Sequence, residues 1–465
     1  MKKTYLNIFK ILVGVQIAFL SSCSTEDLNP TLSQNLAVEG SITSVDNLNS
    51  ILKGVHNTMT GSGYYGRDII ATNEVRSDNC FSNGNSGRFS TQAEFAYNAQ
   101  TDFIWNNAYA AIADANIIIN ADVESLDGNL DYGMHVQGQA MILRALSHFD
   151  LLRVYGQQHD GDPSTNLGVP IVTTFKGDNL SPSRNTVDEV RNAIYSDLET
   201  AFNMMDSDFD TSKTTVSKYT AKALESRVAV YFGNWDRAID ASEAVINSNL
   251  YSIVPADSYV SSFAAGEQQN SIFELAFSTA DNAGSNSLAY IYRFPGDAPE
   301  GYGDVEVVSD VINIFGINDV RRDILGYQDN GTRLRNMGKY PDTAQGSDNI
   351  SLFRYEEVIL NYAEALLEKG RDSEALTQLN SITANRNAVA YTSVSKDDIL
   401  LERRKELMFE GLRYDDLMRT GQDIEVLGSN QNLIETLNYP NNLFVYPIDI
   451  DELNANSNIE QNLGY

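Results

Sequence analysis

SKDDILLERRKELMFEGLRYDDLMRTG occupies residues 395–421. Ser395 is placed to cap the free N–H groups of a helix, and Asp398 three residues on completes a capping box. Asp397 and Asp398 lie where the helix dipole is positive. Ile399, Leu400, Leu407, Met408 and Leu412 recur at helical spacing. Arg403 and Arg404 interrupt that apolar stripe, and buried charges require partners. Glu406, Glu410, Asp415 and Asp416 are the acids close by. The stretch therefore reads as scaffold around a buried ionic network, with arginine stems snorkelling to the helix edge as the alternative.

Outward from this stretch the chain is mostly helical. Residues 357–386 read as helix, turn at Gly370, helix, and residues 219–249 repeat the plan around Gly233. In both copies an alanine, Ala375 or Ala238, follows the turn glycine by five positions. Small residues there let two helices approach closely, as in tetratricopeptide repeats. Periodic segments at about 102–155 and 184–205 supply further helices, and residues 43–60 another, with Val45, Leu48, Ile51, Leu52 and Val55 on one side. The expected fold class is mainly α: a TPR-like α-α superhelical scaffold with long irregular loops and a few short strands. Its helix pairs fall at about 102–155, 184–249 and 351–421. Residues 271–277 alternate as a strand does.

Two stretches break the periodicity. Residues 61–98 are rich in Gly, Ser and Asn with Tyr64, Tyr65, Phe81, Phe89, Phe95 and Tyr97 among them. Residues 281–304 carry Tyr290, Tyr292, Phe294 and Tyr302 in similar company. Both read as irregular loops with exposed rings, the place where a rigid scaffold carries its binding groups. A sugar offers a flat C–H face to an aromatic ring and in-plane hydroxyls to Asn, Asp and Arg. On that chemistry the candidate ligand-binding residues are Asn79, Phe81, Arg88, Phe89, Tyr97, Tyr290, Tyr292, Arg293 and Tyr302, with Arg76, Asp78, Asn282 and Asn286 beside them. Trp105 lies in a helical run and reads as core, and Cys80 as a buried thiol.

The N-terminus reads as an export signal. Lys2 and Lys3 precede an apolar run at residues 11–20 that is too short to span a bilayer as a stable helix. Leu20-Ser21-Ser22-Cys23 then resembles a bacterial lipobox, which makes residues 1–22 a cleaved signal and Cys23 the lipidation site. Several acyl chains would hold the protein firmly.

Composition excludes other classes. The 465 residues hold 33 Lys+Arg against 63 Asp+Glu, a formal net charge of -30, which argues against nucleic acid. With Cys23 acylated, Cys80 has no partner, so a disulfide scaffold is excluded. His56, His135, His148 and His159 show no metal-ligand spacing. Asp206 to Asp210 begins like a calcium loop but has Thr211 where glycine is needed and Ser217 where glutamate is needed, so it reads as a solvated turn. No nucleophile elbow, phosphate loop or zinc-helix motif occurs. No catalytic residue, metal or cofactor is expected, although paired carboxylates could hide among so many acids.

The residues of the opening stretch carry a resemblance as well. Glu402, Arg403, Arg404, Glu406, Leu407, Phe409, Glu410, Gly411, Arg413, Asp416, Leu417 and Arg419 resemble the C-terminal motif of the SusD/RagB family. Arg144-Ala145-Leu146…Phe149-Asp150-Leu151-Leu152-Arg153-Val154-Tyr155-Gly156, the Gly168-Val169-Pro170-Ile171 turn, Asp319-Arg321-Arg322-Asp323 and the ending 443–465 agree, so the likeness runs from Cys23 to Tyr465. The resemblance implies a single domain over 23–465. It further implies a surface-exposed outer-membrane lipoprotein that binds oligosaccharide and delivers it to a SusC-like TonB-dependent transporter. A peptide-binding relative and, behind it, a surface glycoside hydrolase are the alternatives.

Overall fold

The computed structural model describes residues 42–159, 161–176, 179–293, 301–328, 331–426 and 432–465. The export signal and Cys23 lie outside the described residues.

Helix α1 (Val45–Thr60) opens on a capping box made by Ser44 and Asn47. Helix α2 (Asp68–Val75) corrects the reading of 61–98 as irregular: seven of its eight residues are buried. Its polar Thr72, Asn73 and Glu74 are buried along with its apolar residues, so no amphipathic period marks it and spacing missed it. Strand β1 (Cys80–Ser82) follows. Then come α3 (Trp105–Ile119), α4 (Leu130–Tyr155) and α5 (Val187–Met204), the last capped by a Thr186–Glu189 box. Helix α4 packs against α3 and α5.

The repeat pairs are α6 (Lys218–Tyr231) with α7 (Trp235–Asn247), and α9 (Tyr355–Glu368) with α10 (Asp372–Ala384). Gly233 and Gly370 turn both hairpins at φ 68° and 71°, a region glycine enters without strain. Ala238 and Ala375 are fully buried in one cluster with Ala229, Tyr362 and Ala365, so the two pairs stack through their small residues.

Short strands join the scaffold to its loops. Between the pairs lie β2 (Ser271–Leu275), α8 (Leu288–Tyr292), β3 (Val305–Val307), β4 (Leu325–Gln328), β5 (Arg333–Asn336) and β6 (Ile350–Arg354). β1 pairs antiparallel with β3, with Phe81 opposite Glu306; β2 pairs with β6 and β4 with β5. Arg335 on β5 donates to the carbonyls of Gly303 and Val305, holding the β4–β5 hairpin against β3. Near Val311 the chain forms a 3₁₀ turn (Ser309–Ile314) rather than an α-helix.

The decisive stretch makes α11 (Lys396–Glu406) and α12 (Arg413–Arg419), with the Ser395–Asp398 capping box in place. The helix stops at Glu406 although the apolar spacing runs on. Phe409 and Gly411 adopt φ 70° and 73°, and the Gly411 N–H donates to Glu74 of α2 at 2.9 Å. A Cβ on Gly411 would lie 2.9 Å from the Ile70 backbone. Gly411→Ala is therefore expected to lower unfolding free energy by roughly 1–2 kcal/mol or more, read by urea titration.

Arg403 is buried, bonds Asp416 at 3.0 Å and donates to Asn361 at 2.6 Å, the network arrangement. Arg419 reaches Asp416 at 2.7 Å and Glu364 at 2.6 Å. Burial pushes the Asp416 carboxyl up, but Arg403 and Arg419 outweigh it and bring it down to about 2. A depressed folded-state value means the stabilisation is complete above the ordinary carboxylate range and lost as pH falls toward 2. Stability should thus fall between about pH 4 and pH 2, and Asp416→Asn should flatten that limb in acid-titrated unfolding.

Candidate binding surface

The β1–β3 pairing fixes where the two loop stretches lie. It runs from Cys80–Val307 to Ser82–Val305, so the residues following β1 and those preceding β3 emerge at one end of the ribbon. Asn83 donates to the Gly303 carbonyl and to Glu306, each at 2.7 Å. Asn85 donates to the Tyr302 carbonyl at 2.9 Å. Arg88 lies 4.4 Å from the Tyr302 ring centroid and bonds Asp304 at 3.3 Å. Tyr302 in turn meets Tyr290 edge-on, with ring centroids 5.4 Å apart. Arg67 donates to Asn286 at 2.7 Å, a second link between the stretches. Phe294 lies outside the described residues.

Three sequence candidates, Arg88, Tyr290 and Tyr302, are only half-buried here. Neither phenol hydroxyl has a hydrogen-bond partner among the described residues, and Arg88 keeps N–H groups beyond those given to Asp304 and Ser86. Asn85 and Asn286 are exposed at the same surface. The arrangement presents two ring edges, one cation and several amide groups to solvent.

The other candidates face inward. Asn79 is fully buried, accepting from Arg404 and donating to Glu74. Phe81 and Phe89 are buried at 8% and 6% exposure. Tyr97 stacks on Tyr446 at 4.2 Å in a cluster with Phe95. Tyr292 is buried against Tyr340 and Phe409. Arg293 caps the carbonyls of Asn336, Met337 and Lys339 and is brought down to about 10 by burial. Arg76 lies over the Tyr414 ring at 3.8 Å, and Asp78 pairs with Arg413 at 2.7 Å. These side chains hold the loops to the helices. Trp105 is core, and Cys80 is buried, its thiol pushed well up by burial.

Sequence reasoning passed over Arg67, Asn83 and Asn85. The run SNGNSGR at residues 82–88 was the available signal, since four small residues and two asparagines ahead of an arginine mark a polar turn. Among the described residues no group of three or more His, Cys, Asp or Glu is arranged to hold a metal ion, and no helix is long and apolar enough to cross a membrane.

Residues 27–230 match a family model described as "Starch-binding associating with outer membrane", and residues 318–465 match one described as "SusD family". The chain belongs to the SusD family. SusD-like protein P2 of Formosa agariphila is 26% identical over 512 residues, covering 98% of this chain and 99% of its own. Starch-binding protein SusD of Bacteroides thetaiotaomicron is 32% identical over 133 residues, 27% of this chain and 22% of that protein. A SusD superfamily protein of the same organism, solved by crystallography, superposes with a TM-score of 0.83 at 28% identity, over 90% of this chain and all of that one. The mainly helical architecture is that of SusD proteins. The Arg403–Asp416–Arg419 network lies within the second matched segment, and the Asn83–Arg88 turn within the first.

Proposed function

We propose that this SusD-family chain is a lipoprotein anchored in the outer membrane through acylated Cys23, exposed at the cell surface, that binds oligosaccharide without covalent chemistry. It hands the ligand intact to a SusC-like TonB-dependent transporter. The observation that carries the binding role is the meeting of Tyr290, Tyr302 and Arg88 from two distant stretches on one surface. A pyranose C–H face would lie against the Tyr290–Tyr302 edge. Arg88, Asn85 and the two phenol hydroxyls would then serve the ring hydroxyls, the mix of one apolar wall with few convergent polar groups that saccharide recognition needs. Asp304, fully buried, accepts from Arg88 and from the Ser86 N–H at 3.1 Å, so the cation is held in place before ligand arrives.

Affinity electrophoresis of the mature chain against a panel of neutral polysaccharides tests this. At least one polysaccharide is expected to retard the protein without loss of polymer or appearance of reducing ends. Migration unchanged across the panel would contradict the binding role, and new reducing ends would replace it with hydrolysis.

A further inference from the structure

A cavity of about 460 Å³ opens beside β2 and β6, and neither Tyr290 nor Tyr302 lines it. That size falls in the roughly 300–1,000 Å³ range of small-molecule sites. Its walls include the rings of Phe263, Phe277 and Tyr340 and the carboxylates of Glu274 and Asp348.

The polar groups here are unbalanced. The strong donors are already spent. All the N–H groups of Arg354 go to Glu356, Glu406 and Glu410. The Lys339 ammonium serves Glu406, Glu410 and, at 4.7 Å, the Phe263 ring. Tyr340 donates to the Phe409 carbonyl. Acceptors are in surplus. Glu274 is 4% exposed, yet its carboxylate has no ion pair among the described residues. One of its oxygens accepts from the Glu267 N–H and from Asn349, each at 3.0 Å, and the other has no partner among the described residues. Lys213, the nearby cation whose charge reaches Glu274, makes no ion pair with it among the described residues and rests over the Tyr251 ring at 4.2 Å. Among the described residues Asp348 accepts the Asp342 N–H, at 2.7 Å, and no other hydrogen bond; burial pushes its carboxyl up to about 6 against the weaker pull of Arg293. The Ser351 hydroxyl, on the cavity wall, is buried without a partner among the described residues.

A buried carboxylate with no cation in contact is costly, and aromatic walls favour a positive charge. We propose that this cavity binds the protonated primary amine of a small ligand. The ammonium sits between Glu274 and Asp348, against the rings of Phe263 and Phe277. Amino sugars and the amines of short peptides share this chemistry. The site is separate from the saccharide surface, and either can fail without the other.

Isothermal titration of the mature chain with glucosamine and with lysinamide, each against its N-acetylated form, tests it. At least one free amine is expected to bind, and the one that does identifies the source. Acetylation should weaken that binding at least tenfold, and so should Glu274→Gln. Asp348→Asn, at a less buried position, gives the same test should Glu274→Gln fail to fold. Tyr302→Ala should leave amine binding unchanged. The proposal is overturned if neither amine binds, if the acetylated form binds equally well, or if folded carboxylate variants bind as the parent does.

Discussion

Glu406→Ala is expected to lower the unfolding free energy by about 3–5 kcal/mol, the range for removing one partner from a buried ion pair. Glu406 is fully buried and accepts from Arg386 at 2.8 and 2.9 Å and from Arg354 at 3.1 Å. Arg321, also buried, lies 3.6 Å away. Burial raises the Glu406 carboxyl, and the three arginines overcome this and hold it well below the usual carboxylate range. Truncation would leave three guanidinium groups in the interior with Glu356, Glu402, Glu410 and Asp319 as their remaining acids. The measurement is the guanidinium chloride midpoint at constant slope. A matched control is Glu374→Ala, whose exposed pair with Arg371 should leave the midpoint unmoved. A midpoint for Glu406→Ala indistinguishable from the parent would mean that the network does not organise the fold.

The second large effect concerns binding. Replacing Tyr290 and Tyr302 together with alanine is expected to weaken polysaccharide affinity about a hundredfold, taking roughly 1–3 kcal/mol for each stacked ring by analogy with base stacking. Tyr302→Ala should do more than Tyr290→Ala, because it also removes the ring beneath Arg88 at 4.4 Å. Both rings are half-buried and lack hydroxyl partners among the described residues, so the fold should survive. Calorimetry on folded variants reads the loss. Phe89→Ala serves as contrast: Phe89 is buried at 6% exposure, so its loss should lower stability before it lowers affinity.

Local signals in the chain carried most of the scaffold. The Ser395–Asp398 capping box and the turn glycines Gly233 and Gly370 form where their residue types require. The ionic network was legible in kind but not in partner. Arg404 finds Asp78 and Asn79, Asp415 finds Arg153, and Glu406 finds Arg354 and Arg386, none of which spacing within 395–421 reveals. Long-range pairing is set by tertiary packing, and a single sequence holds no record of it. That the two aromatic stretches are loop-rich was legible; which of their side chains reach solvent was not. A tyrosine in a Gly/Asn-rich stretch has the same local sequence whether it faces solvent, as Tyr302 partly does, or stacks inside, as Tyr97 does on Tyr446. What separates them is a segment near the end of the chain, which sets Tyr446 against Tyr97 and makes no ring contact with Tyr302.

Hydrogen–deuterium exchange of the mature chain, with and without a polysaccharide that retards it, tests the central claim most directly. Ligand should slow exchange in peptides spanning residues 83–89 and 284–293, while peptides spanning residues 395–421 remain as they were. Protection confined to other parts of the chain, with both loop segments unchanged, would contradict the account.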